Sequence, residues 1–321
     1  MIRLLSFLFA VLAGLFYCVV AQAQNWPTKP LRFVSPFAPG GGNDSLSRII
    51  AAGLTPKLGQ QVVVENKPGA NTIVGTEIVV KSAPDGYTFI LLPNAITINP
   101  HLYKKQPFDV TKDLTAVTQI GTSPLILCLH PSVPIKNTKE FLQMARAKSG
   151  QFTNGSSGNG SLGHLAGALL GVMTGINLVH IPYKGTSLAV TDLLGGQITL
   201  SFSSAMTVLP HIRNGRLRAV GVTSAKRSPA LPDIAAISET VPGFSAELWY
   251  AMFAPANLPL ELINRMNHEI SALLTQTEMK AKLSDQGVDA QTSTPQEMAQ
   301  LIVADLAKWE KVVKITGAKA N

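Results

Sequence analysis

Two glycine-rich loops each connect an apolar strand to the start of a helix, and any fold of this chain must place both. The first is Pro36-Phe37-Ala38-Pro39-Gly40-Gly41-Gly42-Asn43-Asp44, and the second is Asn154-Gly155-Ser156-Ser157-Gly158-Asn159-Gly160-Ser161. Before the first loop, Leu31 to Val34 reads as a strand. After it, Asp44 begins a helix to about Lys57, with Leu46, Ile49, Ile50 and Leu54 at helical spacing. The second loop separates a short strand, Phe152 to Asn154, from a helix, Leu162 to Met173. Glycine lets backbone N–H groups come close to a ligand. A helix N-terminus adds unpaired N–H donors and a partial positive charge, so a carboxylate or phosphate suits the place. Ser156 and Ser161 offer hydroxyl donors, and Asn43 and Asn159 suit left-handed turn positions or amide contacts. Asn43, Asp44 and Ser161 are also favoured capping residues, so an ordinary capped turn explains either loop alone. Two such loops, one in each strand set, point to one anionic ligand gripped from both sides of a cleft. Replacing Gly41 or Gly160 by a β-branched residue is then expected to block backbone approach without unfolding the chain.

Short apolar strands alternate with helical patterns throughout, which predicts α/β layers with mostly parallel sheets. In the first set, Gln61 to Glu65 is a strand, Thr72 to Lys81 a helix and Thr88 to Leu92 a strand, entered through the turn Asp85-Gly86. A second set starts near Pro124: strand Leu125 to Leu129, helix Thr138 to Lys148, then the second loop and its helix. Leu178 to Ile181, Ile198 to Phe202 and Leu217 to Thr223 are strands, with a helix at Leu188 to Leu194. Glu247 to Phe253 is a longer strand, and the rest is helical: Pro259 to Leu274, Glu278 to Gln286 and Pro295 to Thr316. No tandem repeat or long linker separates the sets. The chain is therefore expected to cross between lobes on strands, at Ala116 to Ser132 and Glu247 to Phe253, with the C-terminal helices packing back on the first lobe.

The first residues read as an export leader. Met1-Ile2-Arg3 is a positive start, Leu4 to Val20 is apolar, and Ala21-Gln22-Ala23 is a small-x-small cleavage site. Cleavage after Ala23 leaves Gln24 first and about 300 residues, enough for two domains. The apolar run is near the lower limit for a membrane span, but the cleavage site and the restart at Trp26-Pro27 favour removal. Cys18 follows bulky Phe16-Tyr17, which rules out a lipoprotein site. Cys128 then remains alone, in the apolar run Leu125 to Leu129, and reads as a buried thiol. Without an internal disulfide the fold rests on its apolar core.

The formal charge is +8, and +7 once Arg3 is lost with the leader. A basic protein attracts anions. Arg213, Arg216, Arg218, Lys226 and Arg227 lack interleaved aromatics and read as solvated surface, so nucleic acid is not expected as a partner. Gly158-x-Gly160-x-x-Gly163 imitates a dinucleotide fingerprint, but the next strand ends in Pro182-Tyr183-Lys184 where an acidic residue is required. The first loop lacks Gly-Lys-Ser/Thr, and no Gly-x-Ser-x-Gly elbow surrounds the loop serines. The six histidines show no metal-ligand spacing. His164, one turn into the helix after the second loop, could face a ligand or sit on the surface. No nucleophile–base pairing is readable, so catalysis is not expected.

Many short motifs, in order along the whole mature chain, resemble one family. They include Trp26-Pro27-x-Lys29-Pro30, the first loop, Val64-Glu65-Asn66-Lys67-Pro68-Gly69-Ala70 and Ala83-Pro84-Asp85-Gly86-Tyr87-Thr88. Ile98-Asn99-Pro100-x-Leu102-Tyr103 and Phe108-Asp109 follow, then the second loop with His164-Leu165-Ala166-Gly167. His180-Ile181-Pro182-Tyr183-Lys184-Gly185, Asp192-Leu193-Leu194-Gly195-Gly196-Gln197, Leu209-Pro210-His211-Ile212-Arg213 and Thr223-Ser224-Ala225-Lys226-Arg227 complete the series. In these residues the chain resembles the substrate-binding proteins of tripartite tricarboxylate transporters, the Bug-type periplasmic receptors. The resemblance implies an α/β, two-lobed, type II periplasmic-binding-protein-like fold with the cleft between lobes joined by crossing strands. Lobe 1 is expected over 24–122 and 249–321 and lobe 2 over 123–248, after the signal peptide 1–23. It further implies a monomer without bound cofactor, which captures a small di- or tricarboxylate or aromatic carboxylate for a membrane transporter. Carried over, the ligand-binding residues are Phe37, Ala38, Gly40, Gly41, Asn43 and Asp44 from lobe 1, with Asn94 and Ala95 after the third strand. Lobe 2 supplies Ser156, Asn159, Gly160, Ser161 and His164. Family members often have an acidic residue after the strand equivalent to Ile198 to Phe202, where this chain has Ser203 and Ser204. A ligand that needs a carboxylate for its amino group is thereby disfavoured. Two other readings of the same fold stay open: a sensor presenting its ligand to a membrane kinase, and an exported enzyme.

Overall fold

The computed structural model describes residues 26–319 except Lys104 and Ala230; the expected leader lies outside them. The first strands are Leu31–Ser35 (β1), Val62–Asn66 (β2) and Thr88–Pro93 (β3). Between and after them lie helices Gly42–Leu58 (α1), Ile73–Val80 (α2) and Ala95–Leu102 (α3). β1 pairs in parallel with both β2 and β3. This is the result of strand–helix–strand crossovers, since α1 carries the chain from β1 to β2 on a buried face of Leu46, Ile50 and Leu54.

Strand Leu114–Leu129 (β4) joins the two halves of the molecule. Its part from Leu114 to Pro124 pairs antiparallel with Glu247–Pro255 (β9). Its part from Leu125 to Leu129 pairs with Leu200–Ser204 (β7) and Arg218–Val222 (β8). β3 completes the first half by pairing antiparallel with β9, and the short Asp289–Ala290 (β10) pairs with β4. The second half adds Phe152–Ser156 (β5) and Leu178–Pro182 (β6), with β5 parallel to both β6 and β7. The strand order is β2-β1-β3-β9-β4-β7-β5-β6. The expected mostly parallel arrangement holds only toward the outer strands. At the centre the sheet is antiparallel, because β9 runs back between β3 and β4, antiparallel to both, and β4 in turn runs antiparallel to β7 and β8. Among the described strands, only β4 pairs in both halves. β9, also expected to cross, pairs only with β3 and β4, and its residue Glu247 sits opposite Pro124 where β4 changes partners. The chain returns through Thr223, whose hydroxyl donates to Ala246 O at 2.7 Å and accepts from Leu125 N–H at 2.9 Å.

In the second half, helices Thr138–Ala147 (α4), Leu162–Thr174 (α5), Thr186–Leu194 (α6) and Ala205–Arg213 (α7) cover the sheet. Leu260–Leu274 (α8), Thr277–Asp285 (α9) and Pro295–Thr316 (α10) follow β9. α8 packs on α1 and β4, whereas α10 packs on α3 and β4 and also touches α5 of the second half. Helix α10 is pinned by Asp305, which accepts hydrogen bonds from Thr97 Oγ1 at 2.6 Å and Trp249 Nε1 at 3.0 Å, all buried. One apolar cluster runs from Phe33 and Phe89 in the first half to Phe141 and Phe202 in the second. Cys128 is a fully buried free thiol, and burial pushes its pKa far up. No described helix is long and apolar enough to cross a membrane.

Candidate ligand-binding site

A cavity of about 630 Å³ lies between the two lobes. Its wall is made by the ends of helices. The N-caps of α1, α2, α3, α5, α6 and α7 are Gly41, Thr72, Asn94, Ser161, Gly185 and Ser204, and all six line the cavity. Only Ser161 caps its own helix with its side chain, accepting from His164 N–H at 3.3 Å. The other five have no side-chain cap, so first-turn N–H groups face the cavity without a side-chain acceptor. Among the described residues no Asp or Glu lines this space, and its one charged side chain is Lys184. Helix N-termini without side-chain caps favour an anion in the cavity; the one carboxylate in the first turn of α1, Asp44, is off the cavity wall and bonded to Gly40 N–H, Arg48 and Asn66.

The first loop is held open by its own side chains. The Asp44 carboxylate is buried and accepts from Gly40 N–H at 3.0 Å, Arg48 Nε at 3.1 Å and Asn66 Nδ2 at 2.8 Å. Burial by itself would raise the Asp44 pKa, but these hydrogen bonds and the Arg48 charge hold it below the usual value. The Asn43 amide ties three elements together, accepting from Ser35 Oγ at 2.9 Å and donating to Leu91 O at 3.1 Å. In the second loop, Ser156 Oγ accepts from Gly158 N–H at 3.1 Å and contacts His180 Nε2 at 2.6 Å. His164 Nδ1 accepts from Gly160 N–H at 3.0 Å, and its ring stacks on His180 with centroids 3.8 Å apart.

Of the residues expected from sequence, Phe37, Ala38, Gly41, Asn43, Asn94, Ala95, Asn159, Ser161, Ser203 and Ser204 line the cavity. Gly40, Asp44, Ser156, Gly160 and His164 do not; they brace the loops from behind. The left-handed positions expected for Asn43 and Asn159 fall instead to Gly40 (φ 79°), Gly158 (φ 131°) and Gly160 (φ 74°). The asparagines keep negative φ, because each loop has a glycine free to take the turn.

Two parts of the wall were not among the residues expected to bind. One is the segment Pro68 to Thr72, where Ala70, Asn71 and Thr72 take φ of 44°, 47° and 84°. Such values strain residues with a Cβ, and tertiary bonds hold them: Asn71 Nδ2 to Asn99 Oδ1 at 2.8 Å, and Asn99 Nδ2 to Asn71 O at 2.7 Å. The other is Lys184 to Ser187 at the start of α6. There the glycine between strand and helix was the available clue.

The tripartite tricarboxylate transporter family receptor model matches residues 46–318. The chain belongs to that family. It is similar to protein BugT of Bordetella pertussis (strain Tohama I), 33% identical over 322 residues and covering 99% of both chains. It is similar in structure to R. palustris Rpa4515 solved with adipate: 33% identity, TM-score 0.88, over 92% of this chain and 100% of that one. MatC (Rpa3494) from Rhodopseudomonas palustris, solved with bound malate, is 27% identical with TM-score 0.81, over 90% of this chain and 100% of that one. The two-lobed architecture is thus that of solute-binding receptors of this family.

Proposed function

We propose that this receptor closes its two lobes on a small carboxylate and hands it to a membrane transporter, with no chemical turnover. The observation that carries this reading is the convergence of six helix N-caps, five of them uncapped, on a cavity without an acidic side chain. Adipate and malate in the related structures support the same class of ligand. Phe37, Ala38, Gly41, Asn159 and Ser161 would meet the carboxylate through backbone or hydroxyl groups, with Asn94, Ala95, Ser203 and Ser204 completing the floor. Gly40, Asp44, Ser156, Gly160 and His164 would act by holding those loops in place. Asn43, whose side-chain amide is bonded to Ser35 Oγ and Leu91 O, would contribute its backbone N–H. The lobes are assigned as 24–122 with 249–321 and as 123–248; the change of partner along β4 at Pro124 and Leu125 supports that division. The receptor would work as a monomer in the periplasm once the leader is removed.

The test is thermal unfolding of the refolded, ligand-free protein against mono-, di-, tri- and aromatic carboxylates. At a hundred times its dissociation constant a ligand adds about 2.7 kcal/mol, which moves the midpoint by several degrees. A rise for one class supports the reading and names the cargo. A flat response across the whole panel rejects a carboxylate receptor.

A further inference from the structure

We propose that His164 is a proton switch on the second loop: neutral, it holds the loop against the ligand site, and protonated, it lets the loop and the ligand go. This rests on the ligand-site reading above and adds its regulation.

The switch is a capping box with a histidine in the acid's place. Ser161 is the N-cap of α5, and its Oγ accepts from His164 N–H at 3.3 Å. In the usual box a Glu or Gln at the position of His164 reaches back to a backbone N–H at the helix start. Here the imidazole reaches back, and its Nδ1 accepts from Gly160 N–H at 3.0 Å. A neutral ring that accepts at Nδ1 carries its proton on Nε2, so a second proton must go to Nδ1. Protonation of His164 and its bond to Gly160 therefore exclude each other. A glutamate here would go on accepting well into acid, whereas a histidine changes state between about pH 5 and 8.

The surroundings oppose the cation. An imidazolium would stand in the first turn of α5, at the positive end of the helix dipole, and its ring is stacked on His180 with centroids 3.8 Å apart. Of the strands packed on α5, β5 and β7 carry no ionisable side chain and β6 carries His180 alone. Beyond β6, Tyr183 is bonded to Asp192 and Lys184 is exposed. Helix α10, also packed on α5, carries Glu297, Asp305, Lys308, Glu310, Lys311 and Lys314, and α3 carries His101. None of these makes an ion pair with either ring among the described residues. Burial lowers the His164 pKa, and burial with the His164 charge lowers that of His180.

Gly160 connects the switch to the ligand. Its neighbours Asn159 and Ser161 line the cavity, and Leu102 of α3, in the other lobe, packs directly on it. Opening the lobes lifts Leu102 away and exposes the Gly160–His164 bond to water, where a histidine returns toward its ordinary value of about 6.5. Closing on the ligand then expels a proton. Affinity is full above about pH 6.5 and falls as the pH drops below it.

The experiment is calorimetric titration of the wild type, His164→Asn and His164→Ala with adipate and with malate, near pH 7.5 and near pH 5.5, each protein compared with itself. Asparagine offers an acceptor close to the Nδ1 position and does not protonate. Protonation of the acid itself weakens all three proteins alike. The wild-type Kd should rise about five- to tenfold more than that of His164→Asn. His164→Ala, with no acceptor, should bind more weakly than His164→Asn near pH 7.5. Equal pH ratios in the wild type and His164→Asn overturn the inference and leave the carboxylate reading standing. A second measurement needs neither variant nor ligand: in NMR spectra of the wild type, the Gly160 amide signal should move with the same midpoint as the His164 ring signals. A Gly160 amide that stays in place while His164 titrates overturns the switch. If no acid of the whole carboxylate panel binds the wild type near pH 7.5, the carboxylate reading fails, and the Gly160 signal alone decides the switch.

Discussion

His164 and His180 are stacked behind the second loop, and both are neutral for the same reason. Burial holds the His180 ring down at about 4, with His164 adding to the shift, and burial lowers His164 as well. In the unfolded chain each would titrate near about 6.5. Between those values the unfolded state binds more protons, so stability is full above about pH 6.5 and falls as the pH drops toward about 4. The urea midpoint should therefore be lower near pH 5 than near pH 7, and His180→Gln should flatten that dependence. An unchanged pH profile in the variant would remove the histidine pair as its source. His180 also contacts Ser156 and so reaches the loop that His164 holds through Gly160 N–H. The sequence flagged His164 as a residue that could face the ligand. It could not show that a second histidine, sixteen residues on, would occupy the stacking position.

Helix ends are where stability and binding oppose each other. A Ser, Thr, Asp or Asn N-cap stabilises a helix by about 1 kcal/mol relative to an alanine, yet α1, α2, α3, α6 and α7 do without a side-chain cap at the cavity. Ser161 caps α5 at the cavity, and away from it α4 and α10 are capped by Asn137 and Thr294 while α8 and α9 have no side-chain cap. Gly41 has extended φ and ψ of −77° and 164°, and a Cβ there would come no closer than 3.5 Å to Ala38 O. Gly41→Asp should thus fit, cap α1 and place a built-in carboxylate where the ligand's is expected. We expect unliganded stability to rise by a few tenths of a kcal/mol while carboxylate affinity drops by at least about tenfold. Melting and titration of the one variant check both signs. Equal affinity with the wild type would mean that the α1 terminus does not meet the ligand.

Across the whole molecule, glycines mark where the lobes touch. Gly160 packs on Leu102 of α3 so closely that a Cβ would overlap Leu102 Cδ1, and Gly287 lies where a Cβ would come within 2.5 Å of Ala205 Cβ. Gly160 does not line the cavity, so its expected role in backbone approach gives way to lobe contact. Gly160→Val also meets a φ of 74° that suits glycine. It should hold the lobes apart, weaken ligand binding and raise the radius of gyration in solution scattering, with secondary structure kept. A variant as compact as the wild type and equally tight in binding would exclude the contact as a latch.

The sequence by itself determined the order of most α/β elements, both glycine loops and the bounds of the last helix, Pro295 to Thr316, because each has a local signal in spacing, capping or turn residues. It did not reveal α3 and α7, since Pro100 and Pro210 inside them imitate stop signals that tertiary packing overrides. The central antiparallel pairing, the strained turn at Ala70 to Thr72 and the convergence of six helix ends were decided by tertiary structure. Each depends on partners far along the chain: β4 with β7 and β9, Asn71 with Asn99, Gly42 with Ser204. Local pattern sets which way a helix begins, and only the packed lobes set what that beginning faces.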